Sequence, residues 1–326
     1  MKTTAIAPSN IAFIKYWGKK DEALRLPLNS SISMNLSSAY TTTTIEFSKN
    51  YHKDSVTLLD GSFSDKERER VIGALERIRE RVGISALARV VTQNTFPKGT
   101  GAAASASGFA ALTVAGFAAL EIQVSEKELT IFARMGSGSA CRSIPDGFVE
   151  WKTGNTSEES YAYSLYSHAY WDLRDVLVIV DTRMKKVSTT EGMEYVRTSR
   201  FLSTRLTSIP KKILQVKTAL QRKDFPSLGM LIEEDCINMH AVMMTQTPPL
   251  FYWNGTTMDI IQAVIRWREE GIPVYFTIDA GPNVHLICEE KDEQRVIEAV
   301  KTIDGVLSVI RNKAAKGARI VGKHLF

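Results

Sequence analysis

The alternation of apolar and polar positions divides the chain into a strand-rich first part, a helical middle and a mixed end. Strand-like apolar runs occupy residues 5–17, 31–36, 41–47 and 55–59, and alternation is clearest over 41–47. Residues 64–81 carry many charges around a spaced apolar set, which predicts a surface helix. A strand over 88–93 runs into a glycine-rich turn, and an uncharged helix of Ala, Ser, Gly and Thr follows over 102–120. That run is long enough to raise a membrane span but too weakly apolar to favour one, so it predicts a buried helix in a soluble protein. Ser125 with Glu128 forms a capping-box pattern that opens a short helix ending near Gly136. Residues 175–181 read as a buried strand.

Helical periodicity then dominates from 189 to about 244 and again over 256–270, where Ile260, Val264 and Trp267 share a face. Two apolar strands, 273–278 and 284–288, flank the tight turn Asp279-Ala280-Gly281-Pro282-Asn283. A helix over 292–302 and a last strand complete the chain. No internal repeat is present. Strands, then helices, then strands predict an α+β fold rather than a doubly wound sheet. The change of character places a lobe boundary within 175–185, giving lobes 1–180 and 181–326.

Composition narrows the class. The 326 residues suffice for one large domain or two intimate lobes. The N-terminus lacks the apolar core of a signal peptide. Cys141, Cys236 and Cys288 are scattered, with no Cys-x-x-Cys, and the histidines show no His-Glu-x-x-His spacing. Neither a disulfide framework nor a zinc site is indicated, and a cytoplasmic location fits. The net charge of +5 suits an anionic partner. Basic residues are dispersed and not interleaved with aromatics, which favours a small anionic substrate over nucleic acid. A non-enzymatic nucleic-acid-binding protein stands as the competing class.

Five segments carry candidate chemistry. The stretch Phe96 to Gly108 is a glycine-rich turn entering a helix. Gly99 and Gly101 open backbone angles closed to other residues. The helix start offers N–H groups and the positive dipole end, and Ser105 and Ser107 add hydroxyls: a phosphate site, or a loop leading into a packed helix. Lys15 sits in an apolar run and is either an edge-strand lysine or a cation aimed into a cleft. In Gly136-Ser137-Gly138-Ser139-Ala140-Cys141-Arg142-Ser143, small residues, hydroxyls and one arginine suit a polyanion, or form a plain connector. Asp279 is either a base at a strand end or a turn former. Thr198-Ser199-Arg200 is a cap or an anion contact.

Taken together and in this order, Asn10-Ile11-Ala12-Phe13-Ile14-Lys15-Tyr16-Trp17-Gly18-Lys19, the glycine-rich turn, Gly136 to Ser143, Lys-Val-Ser-x-Thr-x-Gly-Met and Asp279 to Asn283 resemble the mevalonate diphosphate decarboxylase family of the GHMP kinase superfamily. The resemblance runs from about residue 7 to 287. It implies a two-lobed GHMP-kinase-like α+β fold with the site in the cleft, usually as a homodimer. It also implies ATP- and Mg2+-dependent decarboxylation of a 5-phosphorylated mevalonate in isoprenoid biosynthesis. Asp279, Lys15 and Arg142 match the catalytic positions. Asn10, Tyr16, Lys19, Ser137, Gly138, Ser139, Ser199 and Arg200 match positions that hold the substrate. Lys98, Gly99, Thr100, Gly101, Ser105 and Ser107 match the ATP-binding turn. No acidic cluster for the metal is readable.

The chain departs from the family pattern at Lys98, at Ala104 in place of a serine, and at Ser143 to Gly147. These changes bear on the substrate: the 5-diphosphate is the expectation, with the 5-monophosphate and a kinase that stops short of decarboxylation as alternatives. Asp146, if it faced the cleft, would repel the extra charge of a diphosphate.

Overall fold

The computed structural model describes residues 2–96, 104–183 and 185–326. The turn residues Lys98, Gly99, Thr100 and Gly101 lie outside them.

The first sheet is built on two long strands, β1 (Lys2–Ile14) and β4 (Ser31–Ser48), which pair antiparallel over most of their length. The runs expected at 31–36 and 41–47 are one continuous strand, and the pairing with β1 shifts register between them, where Asn10 faces Asn35 and Pro8 faces Tyr40. A small ribbon, β2 (Lys19–Asp21) with β3 (Leu26–Pro27), links β1 to β4. After β5 (Ser55–Leu58) comes helix α1 (Asp65–Val82), then β6 (Leu87–Asn94), α2 (Ala104–Ala119) and α3 (Glu126–Gly136). A 3-10 helix over Gly138–Ser143 follows, then β7 (Phe148–Trp151) and β8 (Ala162–Tyr166). Sequence periodicity did not reveal β7 and β8: β7 is buried on both faces, so nothing alternates.

The capping box expected for α3 is instead found in full at α1, where Ser64 and Glu67 exchange bonds. At α3 Ser125 accepts from the Glu128 backbone. Helix α2 is nearly all buried, and at Gly116 an added Cβ would lie 2.7 Å from Ile78. Its small residues therefore serve close packing against α1. Among the described residues no helix is long and apolar enough to cross a membrane.

The second sheet has the order β10-β11-β9-β12, all antiparallel. It contains β9 (Leu173–Ile179), β10 (Val274–Thr277), β11 (Val284–Glu289) and β12 (Ser308–Lys313). Helices α4 (Thr189–Glu194), α5 (Leu202–Arg222), α6 (Phe225–Thr245) and α7 (Gly255–Glu269) lie between β9 and β10, and α8 (Glu293–Val300) between β11 and β12. Strand β9 precedes residue 180 yet pairs with β11 and β12, so the sheets divide the chain before β9. The short β13 (Arg319–Val321) returns to pair with β1 in the first sheet.

One apolar core joins the two halves, with Ile11, Phe13 and Ile14 of β1 meeting Leu177 of β9, Ile213 of α5 and Ile232 of α6. Helix α6 also packs on β10 so closely that a Cβ on Gly229 would stand 2.0 Å from the Tyr275 ring. Gly229→Ala should therefore destabilise the protein by about 1–3 kcal/mol, because overpacking outweighs the helix-propensity gain of alanine. Urea unfolding checks this; a stabilised variant would show that the ring yields freely.

Candidate active site

A cleft of about 740 Å3 runs between the two halves, lined by the residues after β1, by α1, by the start of α2, by Gly136 to Ser139 with Arg142, by residues 185–193 and by Asp279. Each wall is fixed by local structure. Gly18, at φ +96°, turns the chain out of β1 immediately after Tyr16 and Trp17, a conformation L side chains rarely adopt. Lys15, the first residue past β1, therefore points across the cleft floor and not along a sheet edge.

Lys15 is 1% exposed, and its ammonium donates to Asp279 Oδ1 at 2.6 Å. Its main chain is held on both sides: its N–H donates to Asp235 of α6 at 2.7 Å, and its carbonyl accepts from Asn29 at 2.9 Å and Arg205 of α5 at 3.1 Å. Asp279 lies just past β10 and is fixed from behind. Ile278, the residue before it, donates its N–H to Cys236 Sγ at 3.1 Å, and its carbonyl meets His240 Nε2 at 3.3 Å. The far end of the turn is tied by Asn283, whose Oδ1 accepts from Val180 and Asp181. Asp279 stands in a tight turn, with Gly281 N–H bonding its carbonyl, and its carboxylate faces the cleft.

Burial alone would push the Asp279 carboxyl up. Lys15, His285 and Arg142 outweigh burial and hold it below the usual carboxylate range, so it is ionised at neutral pH. His240, buried against Trp253, is driven down to about 3 by burial and is neutral; its Nε2 carries the proton given to the Ile278 carbonyl.

Arg142, on the 3-10 helix, is buried and forms no ion pair among the described residues. Neutral groups orient it: Asn10 Oδ1 accepts at 3.0 and 3.2 Å, and Ser31 Oγ at 2.7 Å. Asn10 is itself aimed by Ser143 Oγ and the Ser139 carbonyl. Burial lowers the Arg142 pKa, and a guanidinium desolvated without a carboxylate partner is a ready site for one.

The Ser137-Gly138-Ser139 loop follows α3 directly. Arg25 and Arg70 bond the last carbonyls of that helix, Met135 and Gly136, at 3.0 and 2.9 Å. Gly138 is required by contact: a Cβ there would lie 2.8 Å from the Tyr16 ring, whose other side meets Trp151 edge-on. Burial pushes the Tyr16 phenol up, so it stays protonated and can donate.

The structure thus gathers Lys15, Tyr16, Lys19, Ser137, Gly138, Ser139, Arg142 and Asp279 around one cleft, with Asn10 supporting Arg142. Lys19 is paired with Glu22. Ser105 reaches Ser137 at 3.2 Å and faces the cleft. Two expectations are corrected. Ser107 is fully buried, its hydroxyl bonded to Thr41 of β4 at 2.6 Å, because it sits one helical turn inside α2 on the face against the sheet. Ser199 and Arg200 are not on the cleft lining: the Ser199 hydroxyl bonds Thr245, and Arg200 is exposed. Asp146 faces away from the cleft and pairs with His168. Sequence reasoning missed Asp235, Arg205, Arg25, Arg70 and Lys185; a signal existed only for the two buried charges, which interrupt the apolar faces of α5 and α6.

The fold is the two-lobed α+β fold of the GHMP kinase superfamily, and a polycationic cleft around one ionised carboxylate suits chemistry on phosphorylated anions. The particular family follows from comparison. Residues 7–162 match the diphosphomevalonate decarboxylase-like N-terminal domain and residues 176–319 the mevalonate 5-diphosphate decarboxylase C-terminal domain, and the chain belongs to this family of enzymes. It is 35% identical over 319 residues to the diphosphomevalonate decarboxylase of Debaryomyces hansenii, covering 91% of this chain and 82% of that one. The crystal structure of mevalonate diphosphate decarboxylase from Staphylococcus aureus superposes with a TM-score of 0.93 at 41% identity, over 98% of each chain. A structure titled as MDDEF in complex with MVAPP, AMPPCP and magnesium gives 0.93 at 35% identity, over 99% of each chain.

Lys15→Met should reverse the balance at Asp279. With the adjacent cation gone, burial takes over, and the carboxyl should titrate above the ordinary aspartate value of about 3.9 instead of below it. Carbon-13 NMR of labelled aspartate, assigned by the signal lost in Asp279→Asn, reads this directly. A midpoint that stays low would mean that Lys15 does not set it.

Proposed function

We propose that this protein catalyses the ATP- and Mg2+-dependent decarboxylation of mevalonate 5-diphosphate to an isopentenyl diphosphate, with release of ADP, phosphate and carbon dioxide. The observation that carries the reading is the pairing, in one cleft, of an ionised Asp279 held by Lys15 with a buried Arg142 that lacks an anionic partner among the described residues. A kinase needs the first arrangement. A guanidinium desolvated and aimed by neutral groups gains a role when the substrate carries a carboxylate to be oriented.

In this reading Asp279 accepts a hydrogen bond from the tertiary 3-hydroxyl and aligns its oxygen with the γ-phosphorus. The bond from that phosphorus to ADP breaks as the new P–O bond forms, giving the 3-phosphate, and the hydroxyl proton passes late to the Asp279 carboxylate. Its low pKa makes it a weak base, which suits a loose phosphoryl-transfer transition state where positioning matters more than early proton removal. The Lys15 ammonium keeps Asp279 ionised and faces the charge on the transferring group. The 3-phosphate then leaves with the electron pair of its C–O bond. The carbon–carbon bond to the carboxylate supplies the new double bond, and carbon dioxide departs. Arg142, held by Asn10 and Ser31, keeps the carboxylate aligned for that cleavage.

Tyr16, Lys19, Ser137, Gly138 and Ser139 take the diphosphate, with Lys19 exchanging Glu22 for phosphate oxygen. Lys98 to Gly101 and Ser105 serve the nucleotide phosphates. An apolar pocket of about 100 Å3 between α1, α2 and the sheet, lined by Val56, Leu58, Phe63, Val90, Phe109 and Leu112, opens beside Ser105 and suits the purine. Among the described residues no group of three or more His, Cys, Asp or Glu is arranged for a metal. The residues therefore fit a magnesium ion carried mainly on nucleotide phosphates and water, which supplies charge neutralisation when bound. Three buried free thiols accord with the cytoplasmic setting, and the homodimer implied by the resemblance belongs to the same reading.

The diphosphate is favoured over the 5-monophosphate and over a plain kinase because the matched relatives are named for it. Asp146, which would oppose it only from within the cleft, is turned away and pairs with His168. Turnover with both phosphates decides: carbon dioxide release with the 5-diphosphate is expected. A roughly hundredfold preference in kcat/KM for the monophosphate, about 2.7 kcal/mol, would overturn the substrate assignment. ADP without carbon dioxide would overturn the decarboxylase. Asp279→Asn should lose about two orders of magnitude or more in kcat with nucleotide binding kept.

The two serines of α2 should separate. Ser105→Ala should weaken nucleotide binding, whereas Ser107→Ala should leave it within about twofold and lower stability by about 1 kcal/mol through loss of the buried bond to Thr41. Calorimetric titration with an ATP analogue measures the first effect and thermal unfolding the second.

A further inference from the structure

We propose that helix α6 is the jig that sets the distance between Lys15 and Asp279, with Asp235, Cys236 and His240 as its positioning residues and Arg205 of α5 as their partner. The inference deepens the proposed function and rests on it for its kinetic consequence.

The observation is one of convergence. Lys15 and Asp279 are 264 residues apart in the chain and belong to different sheets. Neither reaches the other by its own strand pairing. Both are tied to the same helix: Cys236 and His240, four residues apart, share one stripe that meets Ile278, and Asp235, about 100° round the helix from Cys236, meets Lys15. Asp235 Oδ2 takes the Lys15 N–H at 2.7 Å. Asp235 also accepts from Arg205, at 3.0 and 3.1 Å, with the Lys212 ammonium 3.6 Å from its Oδ1, and Arg205 returns to the Lys15 carbonyl at 3.1 Å. The peptide units on either side of Lys15 are thus both held by one buried ion pair. One residue further along α6, Cys236 Sγ takes the Ile278 N–H, and His240 gives Nε2–H to the Ile278 carbonyl. The peptide leading into Asp279 is held in the same way.

The 2.6 Å contact therefore depends on the spacing of three side chains on a rigid element. A surface salt bridge between two long side chains has no such constraint. None of the three touches the cleft lining, so each acts through Lys15 or Asp279.

The groups that face Asp279 are Lys15 after β1, His285 on β11, Arg142 on the 3-10 helix, Lys185 before α4, and the neutral His240 and Cys236 of α6. Of these, Lys15 is the cation in contact. Loosening the jig thus has a signature that simple destabilisation lacks: the Asp279 carboxyl moves up as Lys15 withdraws.

The test uses the full-length protein and the carboxyl titration described for Lys15→Met, which needs no turnover. Asp235→Leu with Arg205→Met replaces the buried pair by apolar side chains of similar volume, a change that preserves stability in comparable cases. His240→Phe keeps a ring against Trp253, removes only the bond to Ile278 and alters no charge. Ile232→Ala on the same helix is the control, since it empties core volume without touching either tie. Both jig variants should raise the Asp279 midpoint and lower kcat by at least about tenfold with KM changed by less than about threefold. The control should lose thermal stability with its midpoint unmoved. An unchanged midpoint in folded His240→Phe and in the double variant overturns the proposal. If the double variant does not fold, His240→Phe decides alone. A raised midpoint in a protein that releases no carbon dioxide upholds the jig and removes the decarboxylase reading.

Discussion

The ion pair between Asp235 and Arg205 is completely buried, and it is the contact on which the cleft depends. Removing two charges from water costs several kcal/mol per ion, which attraction offsets only when nearly every donor and acceptor is used. That condition is largely met. The two carboxylate oxygens of Asp235 receive Arg205 and the Lys15 N–H, and Arg205 also reaches the carbonyls of Asp235 and Lys15 and the side chain of Asn238. An apolar pair would hold α5 against α6 as firmly. What charge adds is direction: bonds that end on one peptide of the opposite lobe fix where β1 stops relative to α6.

The same economy recurs at Arg142. Arg142 is oriented by Asn10 and Ser31, which accept hydrogen bonds without cancelling its charge. Lys15 is neutralised by Asp279 within the cleft, while Arg142 keeps its charge for a ligand. In the proposed reaction, the difference between a cation matched inside the protein and one left for a ligand would separate the phosphoryl-transfer end of the site from the carboxylate end. Lys19 lies between the two cases: its pairing with exposed Glu22 is one a phosphate can displace, because a surface carboxylate regains its hydration when released.

Much of this was legible in the chain. Periodicity located α1, α7 and the β10–β11 hairpin to within a residue or two, because amphipathic helices and a glycine turn between apolar strands leave strong local signals. It missed β7, whose two faces are both buried, and it broke β4 in two where polar residues face other strands. At the site, Lys15, Arg142 and Asp279 stood out as charges or turn residues in unusual surroundings, and the family motifs assigned them roles. Ser107 shows the limit of that transfer: a hydroxyl in the right motif points into the sheet because of its place on the helical wheel. Asp235 and Arg205 show the opposite limit. They lie in unremarked helical stretches, and their partner is a backbone about 190 to 220 residues away, which no local pattern encodes.

The charge balance of the cleft ties stability to function. Lys15, Lys19, Arg25, Lys66, Arg70, Arg77, Arg142 and Lys185 line it against Glu67, Glu69 and Asp279. Burial and the nearby Arg25 push Arg70 down to about 10, and the same two causes lower Arg77. Burial lowers Lys185 and Arg142. These shifts have one direction because each group is a cation kept from water, and at Arg70 and Arg77 the nearby Arg25 adds to the effect. Around Arg25, Arg70 and Arg77 the free protein therefore carries repulsion that the nearby glutamates relieve only in part, and a polyanion reduces it on binding, so that ligand affinity and resistance to unfolding rise together. Replacing these arginines by neutral residues would relax the empty fold and take away the field that gathers a diphosphate and a nucleotide into one site. A cleft that must bring two anions within bonding distance is built more positive than its own stability favours, with the buried Asp235–Arg205 pair and the α6 contacts holding its walls against that repulsion.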